Sequence, residues 1–535
     1  MNKYFSKHTL TLFLSILFTS SALAQIAEDA LLISRTMPVG TARFQGLGGA
    51  GVALGGDVSS AFVNPAGLGF FNRSQAVLTP SFSNINANTR FLGTTADNFN
   101  NDFNIANFGV VINNTDNDLI PSDYRGGSFA ITFNRTNSYN YGYSFGPAEN
   151  PFSIMDDFAL QSDGIPDSEL AQNSANRNIV GYPDAAFGNF LINPLSTGPN
   201  PDDVEYVPSI PLGTLVSQEG FFEEQGRQSQ WNFSYGGNYK DKVYFGAGVG
   251  FRSFSYVRGT VFQETPIYST QYEQDVQEGR PFFPVDDQLS INFVDFVELD
   301  ETLNIEGNGI NASLGVIYRP IDELTLGVSY VTPTFYGITE RYQFTLQSEV
   351  SGIQETDDSE PFNITASDRV RGNENVSEYT LSIPSRLSGG FAYFFDKYGF
   401  ITADVEYVNY EANRYNSDNF NTGDLNQEVD DILEPVINYK VGGEFRYKVF
   451  RLRGGYAMQT DPTQYQNDNL DRDRVVISGG VGISTPKFFA DLGIINTRFE
   501  TDFFPYQGAA FFPVEDIPQS NNNITNVVLS VGFNF

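Results

Sequence analysis

From about residue 75 to the last residue, the chain is a succession of stretches in which apolar and small polar side chains alternate. Trp231, Phe233, Tyr235 and Tyr239 share one side of such a stretch, and Asn232, Ser234, Gly236 and Asn238 the other. After an Asp241-Lys242 turn, Val243, Phe245, Ala247, Val249 and Phe251 oppose Tyr244, Gly246, Gly248, Gly250 and Arg252. Ile310, Ala312, Leu314, Val316 and Tyr318 repeat the pattern against Asn311, Ser313 and Gly315. Leu324, Leu326, Val328 and Tyr330 do so against Thr325, Gly327 and Ser329. A period of two marks a strand with two unlike faces.

Read this way, the chain holds fourteen strands. They fall at 75–85, 103–113, 126–138, 229–240, 243–258, 304–318, 324–349, 376–395, 399–412, 434–448, 449–460, 473–485, 487–499 and 524–535. Even-to-odd connections are mostly tight, as at Asp241-Lys242, Arg319–Glu323, Asp396–Tyr398, Lys448-Val449 and Pro486-Lys487. Odd-to-even ones are long, acidic and rich in Asn, Pro and Asp: 139–228, 259–303, 350–375, 413–433, 461–472 and 500–523. Short turns at one end, long loops at the other and an even strand count predict an all-β, 14-stranded antiparallel transmembrane β-barrel. The 114–125 connection fits least well, being longer than a tight turn. Val527, Leu529, Val531, Phe533 and the terminal Phe535 share a face, which suits a last strand that pairs with the first and leaves no edge.

Before the first strand, Arg43–Phe71 departs from this pattern, being too Gly-rich for a stable helix and too broken for a membrane strand. Its centre is Asn64-Pro65-Ala66-Gly67, where Pro and Gly fix a turn. Phe44, Leu47, Val52, Leu54, Phe62, Val63, Leu68 and Phe70 would not stay in water as a free tail. The expectation is a segment at 25–74 held inside the barrel at 75–535, its glycines permitting rearrangement.

Composition narrows the chemistry. No Cys is present and the single His is His8, so thiolate nucleophiles, imidazole bases, His-ligated haem and Cys/His zinc sites have no residues to build them. No enzyme is expected: lipid hydrolysis has no nucleophile–His pair. Met1–Ala24, with Lys3, Lys7, the apolar run Leu10–Phe18 and Ala22-Leu23-Ala24, reads as a signal peptide with the mature start at Gln25. The run is too short for a membrane helix, and no longer one follows. Removing the two leader lysines takes the formal charge from −33 to −35. Such acidity argues against nucleic acid and anionic lipid headgroups as direct partners.

Three stretches carry a resemblance. They are Ala42-Arg43-Phe44-Gln45-Gly46-Leu47-Gly48-Gly49-Ala50 through Asn64-Pro65-Ala66-Gly67-Leu68; the hairpin Gly315–Pro320 to Leu324–Tyr330; and Ile383–Gly390 to Ala403–Tyr407. In these the chain resembles the FadL family of outer-membrane transporters for long-chain fatty acids and other hydrophobic compounds. The resemblance implies a barrel plugged by an N-terminal hatch. It further implies that ligand enters from outside, the hatch shifts, and ligand leaves sideways through a gap in the wall. Asn64, Pro65 and Ala66 match the family's Asn-Pro-Ala motif, so the hatch role is carried to them and to the adjoining Gly67. The size and acidity of the loops, 139–228 above all, depart from the family and leave the ligand open.

Other candidates were weighed on their residues. Asp404 and Glu406 alternate with Ala403, Val405 and Tyr407, so they point into the lumen if the apolar residues face lipid; a structural salt bridge is preferred for them over contact with hatch arginines such as Arg43 or the lining of a path. Asp468, Asp471 and Asp473 could gather Ca²⁺, but the spacing lacks the Gly and Glu of a helix-loop-helix site and reads as a solvated acidic loop. No metal or cofactor is therefore expected. Paired phenylalanines in the loops (Phe221, Phe222, Phe282, Phe283, Phe503, Phe504, Phe511, Phe512) would form either an apolar ligand vestibule or a core of the loops' own. The expected function is passive uptake of a hydrophobic small molecule by a Gram-negative outer-membrane protein in contact with lipid and lipopolysaccharide. The alternative is a barrel subunit or cargo shuttle of a protein-secretion or surface-attachment machine. A water-filled porin is disfavoured by the plug.

Overall fold

The computed structural model describes residues 27–114, 123–195, 204–211, 213–277, 283–284, 289–356, 359–464, 470–506 and 517–535. The leader, Asp468, Phe282, Phe511 and Phe512 lie outside the described residues. Fourteen antiparallel strands close into one barrel. The first seven are Gln75–Phe91, Thr94–Asn114, Tyr124–Asn150, Leu215–Tyr239, Val243–Ile267, Leu289–Ile321 and the broken strand Leu324–Val331 with Thr334–Thr356. Then come Asn375–Ile383 with Arg386–Phe394, Gly399–Asn409, Pro435–Tyr447, Phe450–Gln459, Arg474–Ser484, Phe488–Asp502 and Gln519–Asn534. Strand one pairs with strand fourteen from Gln75↔Asn534 to Arg90↔Gln519. Ser74 and Phe535 exchange backbone hydrogen bonds of 3.1 and 3.0 Å at the seam. The ring is thus closed by pairing of its first and last strands.

The two faces are inverted relative to a water-soluble protein. Val328 is 54 % exposed while its neighbour Ser329 is 2 % exposed. Trp231, Phe233, Tyr235, Phe245, Leu314, Val316 and Phe533 face outward, and Asn232, Ser234, Thr325 and Ser530 inward. Such an apolar belt is stable only in lipid, so this is a membrane-spanning barrel. No helix among the described residues is long and apolar enough to cross a membrane; the crossing is made by strands.

In three respects the structure departs from the expectation. Strands seven and eight are each interrupted, at Thr332-Pro333 and Pro384-Ser385, where a proline removes a ladder donor. The wall also runs well beyond the predicted strand ends. Strands one and two continue as a hairpin to a two-residue turn at Leu92 and Gly93, both with positive φ. Strands three, four, five and six likewise rise into 139–228 and 259–303. Lastly, 139–228 is no simple loop. It holds the helices Ile154–Ser162, Asp167–Ala175 and Tyr182–Gly188, and Ile154, Met155, Phe158, Leu170 and Leu191 bury one another over the long-loop end.

Candidate functional site

Residues 27–71 lie inside the barrel. Ala27–Ser34 is a short helix packed by Ala30 and Ile33 among inward aromatics of the wall, including Tyr139, Phe254, Tyr256, Tyr336 and Tyr379. Thr41 then caps the turn Ala42–Gln45 by accepting from Phe44 N at 3.2 Å. Gly48 and Gly49, both at positive φ, reverse the chain. Ser60–Val63 and the 3-10 turn Pro65–Phe70 follow, joined at Asn64.

Asn64 is completely buried, and its whole amide is used. Oδ1 accepts from Ala66 N at 3.1 Å, capping the 3-10 turn that Pro65 begins. Nδ2 donates to Val52 O at 2.7 Å and to Val328 O of the wall at 3.3 Å. Ala66 and Gly67 are buried beside it. The structure thus brings Asn64, Pro65, Ala66 and Gly67 together as one turn against the wall.

What the sequence reading missed is the bed beneath that turn. A Cβ on Gly315 would lie 1.8 Å from Asn64 Oδ1. On Gly246 it would lie 2.3 Å from the Pro65 carbonyl carbon, on Gly236 2.4 Å from Pro65 O, and on Gly327 2.3 Å from Val52 O. Gly236, Gly246 and Gly315 are cross-paired on strands four, five and six, so the wall carries a continuous backbone groove in which the turn lies. Across the lumen Gly442 and Gly455, cross-paired on strands ten and eleven, admit Leu47-Gly48. The signal was present: these glycines occupy inward positions at matching distances from the short turns. Their alternation alone marked them only as small.

Wall side chains hold the remainder. Asp404 Oδ2 accepts from Gly51 N and Val52 N at 2.6 and 2.9 Å. Ser530 and Ser478 hydroxyls accept from Ala42 N and Gly48 N at 2.7 and 3.0 Å. Ser234, Thr325 and Ser329 donate to Ala61 O, Ala53 O and Val63 O at 2.7–2.8 Å. Arg43 reaches Glu444 at 3.4 Å and Asp57 at 3.5 Å, and Glu444 also binds Arg446 and Arg453. The salt-bridge reading suits Glu406, which meets Arg386 and Lys440 at 3.7 and 3.5 Å. It does not suit Asp404, whose carboxylate binds the backbone of the N-terminal segment. Nearly every one of these contacts ends on a side chain, and hydroxyl, amide and carboxylate bonds of this kind are readily replaced by water.

One wall seam is parted. Strands two and three pair only from Asn107↔Asn134 to Asn114↔Gly127. Above that level Thr94–Ala106 pairs with strand one alone and Arg135–Asn150 with strand four alone. Side chains bridge the gap: Asn98 Nδ2 donates to Ser144 Oγ at 2.9 Å, Asn100 Nδ2 to Asn140 O at 2.9 Å, and Ser138 Oγ to Asp102 Oδ2 at 2.7 Å. Behind it Met37 N donates to Thr136 O at 3.4 Å, and Asn137 Nδ2 to Arg35 O at 2.6 Å. The N-terminal segment therefore stands against the inner side of the seam.

The loop phenylalanines divide. Phe222 and Phe503 are buried with ring centroids 5.3 Å apart, in one cluster with Tyr143 and Phe145. Phe221 and Phe504 face outward, 41 % and 42 % exposed. Asp471 donates its backbone N–H to Glu500 Oε2 at 3.0 Å, and the Asp473 carboxylate accepts from Asp461 N at 2.7 Å, so the two residues are held by separate loop contacts.

No family model matches the sequence, and no curated protein matches it. Solved structures do. A Pseudomonas aeruginosa FadL homologue superposes with TM-score 0.52 at 13 % identity, over 94 % of this chain and 99 % of that one. The chain has the FadL fold. The Pseudomonas putida toluene transporter TodX aligns over the same shares, at 13 % identity and TM-score 0.49. Within this fold the N-terminal segment touches both the glycine groove, through Asn64 and Pro65, and the inner side of the parted seam, through Arg35 and Met37.

Proposed function

We propose that this protein carries hydrophobic small molecules passively across the outer membrane of a Gram-negative cell, with long-chain fatty acids and other apolar compounds as the candidate cargo. In that setting the short turns face the periplasm and the helical cap faces outward. The observation that carries the reading is the seam between strands two and three, which lacks ladder bonds where the N-terminal segment stands behind it. A hydrophobic solute gains by leaving a plugged lumen sideways into lipid, whereas a polar solute would need an open water path. Phe222 and Phe503 in the cap offer an apolar approach; rearrangement of the hatch at Asn64–Gly67 connects it to the seam. The shared fold of the superposing FadL homologue supports this reading.

The absence of cysteine makes a clean test possible. Asn98→Cys with Ser144→Cys places two thiols where side chains already meet. The oxidised pair is expected to lower uptake of a labelled long-chain fatty acid, and of toluene in parallel, by about tenfold or more, with recovery on reduction. Uptake unchanged by oxidation would remove the lateral route. A deletion strain with unimpaired uptake of both compounds would remove the transport reading itself.

A further inference from the structure

Six lysines follow the leader. Lys440 is inside the lumen with Glu406. The other five, Lys240, Lys242, Lys397, Lys448 and Lys487, all stand at the short turns, and no long loop carries one. The strong net acidity therefore belongs to the long-loop end. Lys240, Lys397 and Lys448 each lie over the ring of the adjoining girdle tyrosine, with Nζ 5.3–5.5 Å from the centroids of Tyr239, Tyr398 and Tyr447. An ammonium on a long alkyl stem beside an interfacial aromatic is placed to reach lipid phosphate.

Two of these lysines flank a hollow. Across strands ten to fourteen the lipid-facing wall is indented by a space of about 570 Å³. Phe445, Tyr447, Phe450, Leu452, Ile483 and Leu529 wall it, over a floor of Gly482 and Ala490. The volume lies in the range of small-ligand sites. Its periplasmic edge is formed by two turns held together, since Ser484 N donates to Val449 O at 2.8 Å. Lys448 projects from one turn and Lys487 from the other; both are exposed and neither is ion-paired among the described residues. Arg451 adds a fixed positive charge there, its guanidinium bonded to Lys448 O and Phe450 O at 2.7 and 2.9 Å. The nearby carboxylates of Glu444 and Asp491 face the lumen and are taken by Arg453 at 2.6 Å each.

We propose that this hollow binds one anionic glycerophospholipid of the periplasmic leaflet, an acyl chain in the indentation and its phosphate held by Lys448 and Lys487. A net charge averaged over two unlike ends gave the opposite expectation for anionic headgroups, because it hides the sign at the short-turn end. The occupant is a glycerophospholipid because an apolar hollow and a cationic rim coincide at the leaflet the short turns face.

Native mass spectrometry of the purified full-length mature protein in detergent tests this, with phosphatidylglycerol, phosphatidylcholine and lipid A offered singly. One phosphatidylglycerol is expected to stay bound under activation that strips phosphatidylcholine. Lys448→Gln with Lys487→Gln should weaken its retention roughly thirtyfold, at about 1 kcal/mol per headgroup-facing cation. Ala490→Trp, which fills the hollow from the lipid side, should abolish retention; heat-modifiable gel mobility reports that each variant is a folded barrel. Equal retention of the two phospholipids, undiminished phosphatidylglycerol in the lysine double variant, or lipid A held through the same lysines would each overturn the proposal.

Discussion

At the scale of single residues, the seat of the N-terminal segment depends on what is missing from the wall. Gly315 leaves room for the Asn64 amide, and a methyl there would sit 1.8 Å from Oδ1. Since Asn64 also holds Val52 O and caps Ala66 N, it cannot move without releasing both. Gly315→Ala is therefore expected to lift the turn, costing about 1–3 kcal/mol as an overpacked site. Gly389→Ala, at a wall position with open space around the added methyl, is the matched control. In planar bilayers Gly315→Ala should raise ion conductance and in solution speed protease cleavage within 51–71, while Gly389→Ala changes neither. Equal behaviour of the two variants would mean that the turn is not wedged by its groove.

At the scale of elements, the helical cap carries its own pH response. Glu264, on the part of strand five that rises past the lipid belt, accepts from Ile154 N at 3.0 Å, from Gln218 Nε2 at 2.9 Å and from the Ser153 hydroxyl. It thereby anchors the start of helix Ile154–Ser162, whose capping box is formed by Ser153 and Asp156. Burial raises its carboxyl to about 7, against the pull of those hydrogen bonds and with a further push from Asp156. A raised acid favours the folded cap while protonated. Its contribution is complete below the unfolded value of about 4.3 and is lost as pH climbs through about 7. The cap should resist proteolysis within 151–211 better at pH 5.5 than at pH 8, and Glu264→Gln should flatten that difference. The same scale shows what the sequence could and could not disclose. All fourteen wall strands were legible, because lipid on one side and a packed lumen on the other force unlike faces. The extensions above the belt were not. In Thr94–Asp102 the residues TTADNFNND alternate too weakly to read, although their ladder with strand one continues to the turn. Likewise Pro333 and Pro384 sit within clean alternation; only pairing reveals that they interrupt neighbouring strands at one level. Asn64 was legible as a motif. Its groove was not, since a glycine opposite a backbone and a glycine opposite nothing look alike in one sequence.

At the scale of the whole molecule, the barrel and its plug have separate sources of stability. Closure comes from backbone ladders and the Ser74–Phe535 exchange, none of which involves residues before 74. The N-terminal segment is joined to the wall chiefly by side-chain hydrogen bonds, close glycine contacts and the Arg43–Glu444 pair. Deleting residues 27–71 from the full chain should therefore leave a barrel that inserts, shows heat-modifiable mobility and conducts ions steadily. The cost falls on the wall polar groups it uncovers. Asp404, Ser478 and Ser530 regain water as the lumen floods, which limits their penalty. Glu444 keeps Arg446 and Arg453 as partners at 2.6 Å each, so its charge is not orphaned when Arg43 is lost. Bilayer conductance beside a melting curve measures both halves of this. A truncated chain that fails to insert would show that the wall closes around its plug, making the hatch part of the fold. A truncated barrel that inserts but stays shut would place the seal in the helical cap at the long-loop end instead.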